Sequence, residues 1–248
     1  MCGRYATTVD PAKLAVELDA VDETGAAGAQ ARSFNVAPTT EVLAVVERHR
    51  DPGDDPTLRI RLMRWGFVPH WAKRVGDGPP LFNARAETVT SKAMFKAAAS
   101  GKRCLVPMDG WFEWERGVSA AGKPVKVPFY MTPRDGSRLY MAGLWSAWRG
   151  GSGEPPVLSA TILTTDAVGE LEGVHDRMPL ILPRESWERW LDPDAAMDSA
   201  LLAPPDPAVA AAIEIRRVST LVNSVRNDGP ELVTPVAGED PAEQLTLL

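Results

Sequence analysis

The alternation of apolar and polar side chains predicts short strands along much of the chain. In the segment 58–63, Leu58, Ile60 and Leu62 alternate with two arginines and a methionine, and a period of two is typical of a half-buried strand. Further strand-favouring runs predict strands at Val42–Val46, Arg103–Val106, Val127–Met131, Leu139–Leu144 and Val157–Thr164.

Helical spacing is visible at fewer places. Asp10 and Pro11 are residue types that favour the start of a helix, and Leu14 and Leu18 then repeat at helical spacing. Asp19–Ala31 is predicted to be a loop. Three further helices are predicted: one capped by Thr90 or Ser91 with Met94, Phe95 and Ala98 facing inward, one over Pro183–Leu191, and one in the alanine-rich stretch from about Ala195.

The order of these elements indicates the fold class. Short strands and short helices alternate without the regular rhythm of a doubly wound sheet, so the chain is predicted to form one α+β domain on an antiparallel or mixed sheet. After about Val236 the chain becomes polar and acidic, which predicts a flexible tail over residues 236–248.

Composition places the chain among ordinary globular proteins. It has 248 residues, 44% of them hydrophobic. No apolar run approaches the roughly 18 residues of a membrane span, and no secretory signal is visible. Cys2 and Cys104 suggest no disulfide framework, which favours the reducing cytoplasm. The histidines and cysteines show no metal-ligand spacing, and no cofactor is expected.

The charge is unevenly distributed. The chain has a net charge of −6, but residues 59–116 carry +6 and the remainder carries −12. A local basic region on an acidic protein can bind phosphate groups, although an ordinary solvated surface has the same appearance in a sequence.

Cys2 is the first residue whose position suggests chemistry. Removal of Met1, which aminopeptidases carry out when the next side chain is small, exposes an α-amine beside the thiol. These groups have ordinary pKa values of about 8 and about 8.5, so both are partly reactive at neutral pH. With an aldehyde, such a 1,2-aminothiol forms a Schiff base and then closes a thiazolidine ring. The alternative is a cysteine at this position by chance.

Four other segments carry polar side chains in suggestive settings. Burial of Glu113 among the aromatic residues of Asp109–Trp114 would raise its pKa towards neutrality and suit it to acid–base catalysis; a solvated strand face is the alternative. His175 follows a strand beside Asp176 and Arg177, although a lone histidine is more often structural. The remaining two polar segments are Asn83–Thr88 and Asn35–Thr39.

In combination, these motifs resemble the SOS response-associated peptidase domain, over roughly residues 2–235. The matching segments occur in the order and approximate spacing of that family, and they are Met1–Tyr5, Asn35–Pro38, Trp65–Gly66, Asn83–Thr88, Gly110–Trp114 and His175–Pro179. The resemblance implies an α+β fold around a strongly curved, barrel-like sheet.

The resemblance also implies a reaction. Proteins of this family bind single-stranded DNA and link an N-terminal cysteine to the ring-opened sugar of an abasic site through a thiazolidine. By resemblance, Cys2 is the nucleophile and Asn83 positions the N-terminus or the sugar. Glu113 is the acid–base group that opens the sugar and forms the imine, and His175 assists proton transfer and reversal of the link.

The same resemblance implies DNA contacts and a setting. Arg4, Arg85 and Thr164 would hold flanking phosphates, since guanidinium groups suit bidentate contacts to phosphate oxygens. The other DNA-binding candidates are Asn35 and Pro38, and, for stacking or wedging at bases, Trp65, Trp71 and Trp114. Such a protein would work in the cytoplasm, associated with the nucleoid, in the response to DNA damage.

The sequence is also compatible with three other functions. A thiol peptidase would pair Cys2 with His175 as nucleophile and base. A glutamine amidotransferase also begins with cysteine and glycine, but its other motifs are not found in this chain. A non-catalytic DNA-binding module would use the same surface without forming the covalent bond.

The C-terminal residues suggest a partner. Gln244–Leu248 resembles the short peptide with which bacterial replication and repair proteins bind the sliding clamp, in which a glutamine precedes two hydrophobic residues that fill a pocket. The polar residues before it would act as a tether. A chance match, or leucines that pack back on the domain, is the alternative.

Overall fold

The computed structural model describes residues 2–118, 123–150 and 155–236. The strands are β1 (Tyr5–Thr7), β2 (Val21–Asp22), β3 (Ser33–Val36), β4 (Glu41–Arg48), β5 (Thr57–Trp65), β6 (Asn83–Arg85), β7 (Arg103–Met108), β8 (Gly110–Val118), β9 (Pro124–Pro133), β10 (Leu139–Trp148), β11 (Val157–Asp166), β12 (Arg177–Pro179) and β13 (Ile213–Arg217). The α-helices are α1 (Pro11–Leu18), α2 (Ala93–Ala99), α3 (Trp187–Leu191) and α4 (Pro207–Ala211).

The larger sheet closes on itself. Its strands run in the order β12-β11-β10-β7-β4-β5-β2, with β6 also paired to β11. Parallel pairing of β11 with β5, which places Ala160 opposite Trp65, joins the two sides of the sheet. The strands β11, β10, β7, β4 and β5 therefore form a ring. The α+β class, the strongly curved sheet, which closes as a ring, and the short peripheral helices are confirmed.

Alternate side chains of the ring pack into different parts of the core. Leu43 and Val45 of β4 pack in the cluster that contains α1, α2 and α3, including Leu14 and Trp190. Their neighbours Val42, Ala44 and Val46 face the opposite side, where they pack with residues of the other ring strands. The helices thus cover the outside of the ring, while the other face of the strands fills its interior.

A second sheet carries the N-terminus. Its order is β13-β9-β8-β1-β3, so the short strand β1 lies between β8 and β3. Tyr5 is opposite Trp111 on one side and Val36 on the other. Cys2, Tyr5 and Trp111 also pack with side chains that fill the interior of the ring. The beginning of the chain therefore lies where the two sheets meet.

Most of the predicted strands and helices are confirmed, with three corrections. Lys92 is the N-cap of α2, in place of Thr90 or Ser91. The segment after Ala195 is not one helix: it contains a 3-10 helix at Ser199–Leu202 and then α4, because Pro204 and Pro205 lack the N–H groups that a helix requires. The predicted loop Asp19–Ala31 contains β2 and a 3-10 helix at Gly25–Ala31.

Two other expectations concern the ends of the chain and the membrane. The tail 237–248, with the candidate clamp motif Gln244–Leu248, lies outside the described residues, and so does Met1. The domain boundary near residue 235 stays a prediction. In the three described ranges there is no helix of the length and apolar character needed to span a bilayer.

Candidate active site

Cys2 lies just before β1 and is completely buried, with 0% of its surface exposed. The side-chain Nδ2 of Asn83 donates a hydrogen bond of 2.7 Å to the main-chain carbonyl oxygen of Cys2. Asn83 reaches this position because β6 pairs in parallel with β11, where Asn83 is opposite Ile162. Pairing of β6 thus places the Asn83 amide against the main chain of Cys2.

Trp65 packs beside this N-terminal strand. Its ring makes an edge-on contact with Tyr5, with 5.2 Å between the ring centroids, and its Nε1 donates to the carbonyl oxygen of Phe82. The exposed fraction of Trp65 is 0%. Because neither face of the ring is accessible, the predicted stacking of Trp65 on a base does not agree with the structure, which places this side chain in the core beneath the site.

Glu113 of β8 is buried next to Cys2, with 3% of its surface exposed, so it does not lie on a solvated strand face. Burial raises the pKa of Glu113 to about 7, and the negative charge of Asp176 acts in the same direction. Burial is the largest cause that raises the pKa of the Cys2 thiol, and the negative charge of Glu113 is the second. The carboxyl and the thiol are therefore electrostatically coupled neighbours, and both forms of Glu113 are populated at neutral pH.

His175 lies in the loop after the 3-10 helix Gly169–Gly173. The main-chain N–H of Arg177 donates to its Nδ1 at 2.9 Å, and a carboxylate oxygen of Asp176 lies 2.8 Å from the same nitrogen. A neutral ring accepts at Nδ1 and carries its proton on Nε2, whereas a protonated ring can donate from Nδ1 to Asp176. Burial lowers the pKa of His175, which favours the neutral ring near pH 7.

The buried guanidinium of Arg177 connects the loop that carries His175 with the segment Asn83–Thr88. It donates two hydrogen bonds of 2.9 Å to the carboxylate of Glu87. It also donates to Asp166 at 2.5 Å and to the carbonyl oxygen of Thr164 at 2.7 Å. A bidentate pair of this kind fixes direction as well as distance. The loop that carries His175 is therefore fastened to the segment that follows β6.

Arg4 lies two residues after Cys2, just before β1. Its Nη1 donates to Oδ1 of Asn35 at 2.7 Å and to the carbonyl oxygen of Val222 at 2.9 Å. Its guanidinium lies over the ring of Trp114, 5.9 Å from the centroid. Arg4 and Trp114 are both half-buried, so their remaining surfaces are accessible beside the site.

Asn35 and Trp114 anchor the C-terminal segment 220–227. Asn35 is 5% exposed, and its Nδ2 donates to the carbonyl oxygens of Ser224 and Asn227. Nε1 of Trp114 donates to Oδ1 of Asn223 at 2.6 Å. The amide of Asn35 therefore forms hydrogen bonds within the protein through both its oxygen and its nitrogen. This geometry indicates that Asn35 positions Arg4 and the segment 220–227. It does not favour the predicted direct contact of Asn35 with DNA.

Arg85 and Thr164 are opposite each other in the β6–β11 pairing, but they differ in access. Arg85 is exposed. Thr164 is 1% exposed, and its hydroxyl is buried without a hydrogen-bond partner in the described part of the chain. The arginine can reach a phosphate, whereas the predicted phosphate contact of the Thr164 side chain does not agree with its burial.

A groove with a volume of about 550 Å³ lies beside β5. Trp71, which is 61% exposed, lines it together with Thr39 and the basic residues Arg64, Lys73 and Arg74. Thr39 has a φ of 79°, a left-handed conformation that is strained for a β-branched residue and recurs at functional sites. The half-buried Pro38 precedes Thr39 in the chain and does not itself line the groove.

The described residues contain no group of three or more His, Cys, Asp or Glu side chains that could hold a metal ion. The site instead combines a buried cysteine, a carboxyl with a pKa near 7, a histidine and accessible arginines. A family model described as SOS response associated peptidase (SRAP) matches residues 1–225 of this chain. The chain belongs to the SRAP family.

Three relatives of this chain carry a common description. The chain is 34% identical to the abasic site processing protein YoqW of Bacillus subtilis, over 94% of this chain and 99% of the relative. It is 34% identical to the abasic site processing protein YedK of Escherichia coli, over 82% and 84%. It is 32% identical to the abasic site processing protein HMCES of Gallus gallus, over 95% and 78%.

Solved structures also resemble this SRAP domain. A protein from Bacteroides thetaiotaomicron superposes with a TM-score of 0.77 at 23% identity, covering 95% of this chain and all of the other, which bears on the fold alone. A phage-related protein from Bordetella bronchiseptica superposes with a TM-score of 0.60 at 31% identity, over 88% of this chain and 94% of the other.

Sequence reasoning missed two features of the SRAP site. One is the pairing of Arg177 with Glu87, which joins segments 90 residues apart in the chain. The other is the segment 220–227, which holds Trp114 through Asn223. Its polar, turn-forming composition at Asn223–Asp228 was the available signal, but nothing local indicated that it packs at the N-terminus.

Proposed function

We propose that this protein forms a thiazolidine crosslink between Cys2 and a ring-opened abasic site in single-stranded DNA, and so shields the lesion during the response to DNA damage. The observation that carries the proposal is the burial of Cys2 between the Asn83 amide and the coupled carboxyl of Glu113. The descriptions of the relatives as abasic site processing proteins support the same substrate class.

The reaction needs the free amine of Cys2, and therefore loss of Met1. The amine attacks the aldehyde carbon of the open sugar, and the adduct loses one water to give an imine. The thiol then adds to the imine carbon, and its proton passes to the imine nitrogen. The product is a five-membered ring, with one C–N bond and one C–S bond formed and one water released.

Glu113 supplies the proton transfers that this sequence requires. An abasic sugar is mainly a closed hemiacetal, so its ring oxygen must be protonated as the ring opens, and a hydroxyl must then leave as water. A carboxyl with a pKa of about 7 is half protonated near neutral pH, which suits both donation and acceptance of a proton. His175, whose neutral ring carries a proton on Nε2, assists the later transfers and the reversal.

Accessible groups around the site fit a flexible polyanion. Arg85 is exposed, Arg4 is half-buried, and Trp71 offers a large apolar surface beside three basic residues of the groove. Single-strand binding commonly combines positive charge along the backbone with aromatic side chains that stack on bases.

A thiol peptidase is the competing function, and the electrostatics of Cys2 disfavour it. Thiol peptidases require a thiolate, because the thiolate is the nucleophile. Burial, followed by the charge of Glu113, raises the pKa of the Cys2 thiol well above its ordinary range. Thiazolidine closure demands less of the thiol, because the protonated imine that it attacks is a far stronger electrophile than a peptide carbonyl.

The test is intact-mass measurement after incubation with a single-stranded oligonucleotide that contains one abasic site. The wild-type protein without Met1 should gain the mass of the oligonucleotide less one water. Cys2→Ala should form no stable adduct, whereas Cys104→Ala, which removes a thiol buried in the core of the ring, should retain the adduct. A stable adduct with Cys2→Ala would contradict the proposal.

A second variant tests the amine. One residue inserted before Cys2 converts its amine into an amide while the thiol is kept. This variant should bind the oligonucleotide without crosslinking. Crosslinking at the wild-type rate would show that the amine is not required, and peptide cleavage in the absence of DNA would favour the peptidase.

A further inference from the structure

Two positive side chains lie directly opposite each other on the β8–β9 ribbon. Arg116 of β8 pairs in register with Lys126 of β9, and both residues are exposed. Like charges at directly opposed positions of an antiparallel pair are destabilising. None of the ion pairs found among the described residues involves either side chain. In a chain with a net charge of −6, this pairing favours an anionic ligand.

Exposed apolar side chains lie near this pair. Alternation along β8 places Trp114 on the same face as Arg116, and Trp114 holds Asn223 of the segment 220–227. On that segment Leu221 is 51% exposed and Val225 is 60% exposed, two of the few large hydrophobic side chains at the described surface with such exposure. Arg226, also exposed, adds a further positive charge.

This surface lies near the catalytic site. Alternation along β8 turns Arg116 to the opposite face from Glu113, which lies three residues before it. After burial and other charges, the positive charge of Arg116 also lowers the pKa of His175, so the two side chains are within electrostatic reach. The path proposed for the strand therefore leads from the face of β8 that carries Glu113 to the face that carries Trp114 and Arg116.

We propose that Arg116, Lys126, Trp114, Leu221 and Val225, here called the ribbon surface, bind the single-stranded polynucleotide on one side of the abasic nucleotide. Arg116 and Lys126 contact successive phosphates, while Leu221 and Val225 contact unstacked bases. The surface favours a single strand because the bases of a duplex are paired and stacked, away from such side chains. The proposal rests on the function proposed above, since it extends the same DNA path.

The test compares a double variant with a control that has the same change of charge. R116Q/K126Q removes the charges of the ribbon surface. K13Q/R50Q removes one lysine and one arginine that are exposed on α1 and after β4. Binding of an undamaged single-stranded oligonucleotide is measured by fluorescence anisotropy over a range of salt concentrations.

Each phosphate contact to a single strand contributes about 0.7 to the slope of log Kd against log salt, so R116Q/K126Q should reduce that slope by about 1.4. K13Q/R50Q should leave the slope close to wild type. Equal slopes for wild type and R116Q/K126Q, or equal losses in both double variants, would overturn the proposal.

The apolar half of the surface has its own variant. L221S/V225S should weaken binding about fourfold to tenfold at every salt concentration, without a change of slope, because it removes apolar contacts and no charge. V16S, which changes a side chain of α1 that is 85% exposed, is the control and should bind as wild type does. Unchanged binding by L221S/V225S would remove the base-contacting part of the proposal.

A crosslinking assay distinguishes failure of the ribbon-surface proposal from failure of the proposed crosslinking function. K126Q, which keeps the charge of Arg116 near His175, should crosslink an abasic trinucleotide at the wild-type rate, since that ligand is too short to reach the ribbon, but should crosslink a long oligonucleotide more slowly at limiting concentration. Slower reaction with both ligands would contradict the ribbon surface. Absence of any adduct with wild-type protein, together with the expected loss of slope, would contradict the crosslinking function alone.

Discussion

The Nδ2 of Asn83 lies 2.7 Å from the main-chain carbonyl oxygen of Cys2 and donates a hydrogen bond to it. This bond acts on the main-chain carbonyl of the proposed nucleophile and does not involve its thiol or its nitrogen. Asn83 is therefore placed to orient the N-terminal residue relative to Glu113.

Replacement of Asn83 tests this positioning. Asn83→Ala should slow crosslinking about 10- to 100-fold, because small misplacement of reacting groups has large effects on rate. Asn83→Asp has the same size but offers oxygen atoms in place of the N–H donor, and it should be similarly slow. Affinity for undamaged single-stranded DNA is the control measurement and should change little. Wild-type crosslinking by Asn83→Asp would show that the donated hydrogen bond is unimportant.

The pH dependence of crosslinking should report Glu113. The rate should rise as the Cys2 amine, with an ordinary pKa of about 8, loses its proton. It should fall as Glu113, with a pKa of about 7, loses the proton that it donates. The wild-type profile is thus bell-shaped. Glu113→Gln should react roughly 10²–10⁴-fold more slowly and keep only the rising limb. A falling limb in the variant would assign that proton to another group.

The same side chain should reduce stability at high pH. The pKa of Glu113 rises from 4.5 to about 7 on folding, so the free energy of unfolding decreases between those pH values. The difference corresponds to about 3 kcal/mol. In urea unfolding, Glu113→Gln should match wild type at pH 4 and exceed it by up to that amount at pH 8. Glu115→Gln, on the exposed part of the same strand, is the control, and the same gain in it would refute the assignment.

His175 should matter more for release than for formation of the link. Reversal requires a proton on the thiolate that leaves as the ring opens, and the Nε2–H of the neutral ring can supply it. His175→Ala should therefore slow transfer of the adduct to a competing aldehyde more than it slows crosslinking. Equal wild-type rates in both directions would mean that His175 takes no part.

The last prediction concerns the C-terminal residues, which we propose to bind the bacterial sliding clamp. A peptide covering residues 239–248 should bind the cognate clamp, and Gln244→Ala and Leu247→Ala should each weaken that binding. Attachment to the clamp would raise the local concentration of the protein where polymerases stall. No binding at high micromolar concentration, or binding that neither substitution affects, would exclude this partner and leave the crosslinking function untouched.

The sequence alone was sufficient for elements that depend on local physics. The alternation at Leu58–Met63 predicted β5, and Asp10 caps α1 through hydrogen bonds to the N–H groups of Ala12 and Lys13. Such features depend on neighbours within a few residues. The helix predicted from about Ala195 was wrong, because only the short 3-10 helix Ser199–Leu202 forms before Pro204 and Pro205, which cannot continue a helix.

The motifs suggested the chemistry of the site. The local sequence pattern did not predict that these motifs come together in space. Cys2 and Asn83 lie 81 residues apart in the chain, and they meet because β6 pairs with β11. The sequence pattern predicted β11, but it gave no signal for the three-residue strand β6 and did not specify which strands pair. Only the closure of the sheet decides which motifs share a site.

Burial was likewise decided by tertiary structure. Trp65 and Trp71 have the same side chain and lie six residues apart, yet one is 0% exposed and the other 61%. Trp65 belongs to β5 and points into the ring, whereas Trp71 follows the end of that strand and lines the groove. The sequence determined that both are large and apolar. Which of them can contact a ligand depends on what packs over each ring, and those groups come from distant parts of the chain.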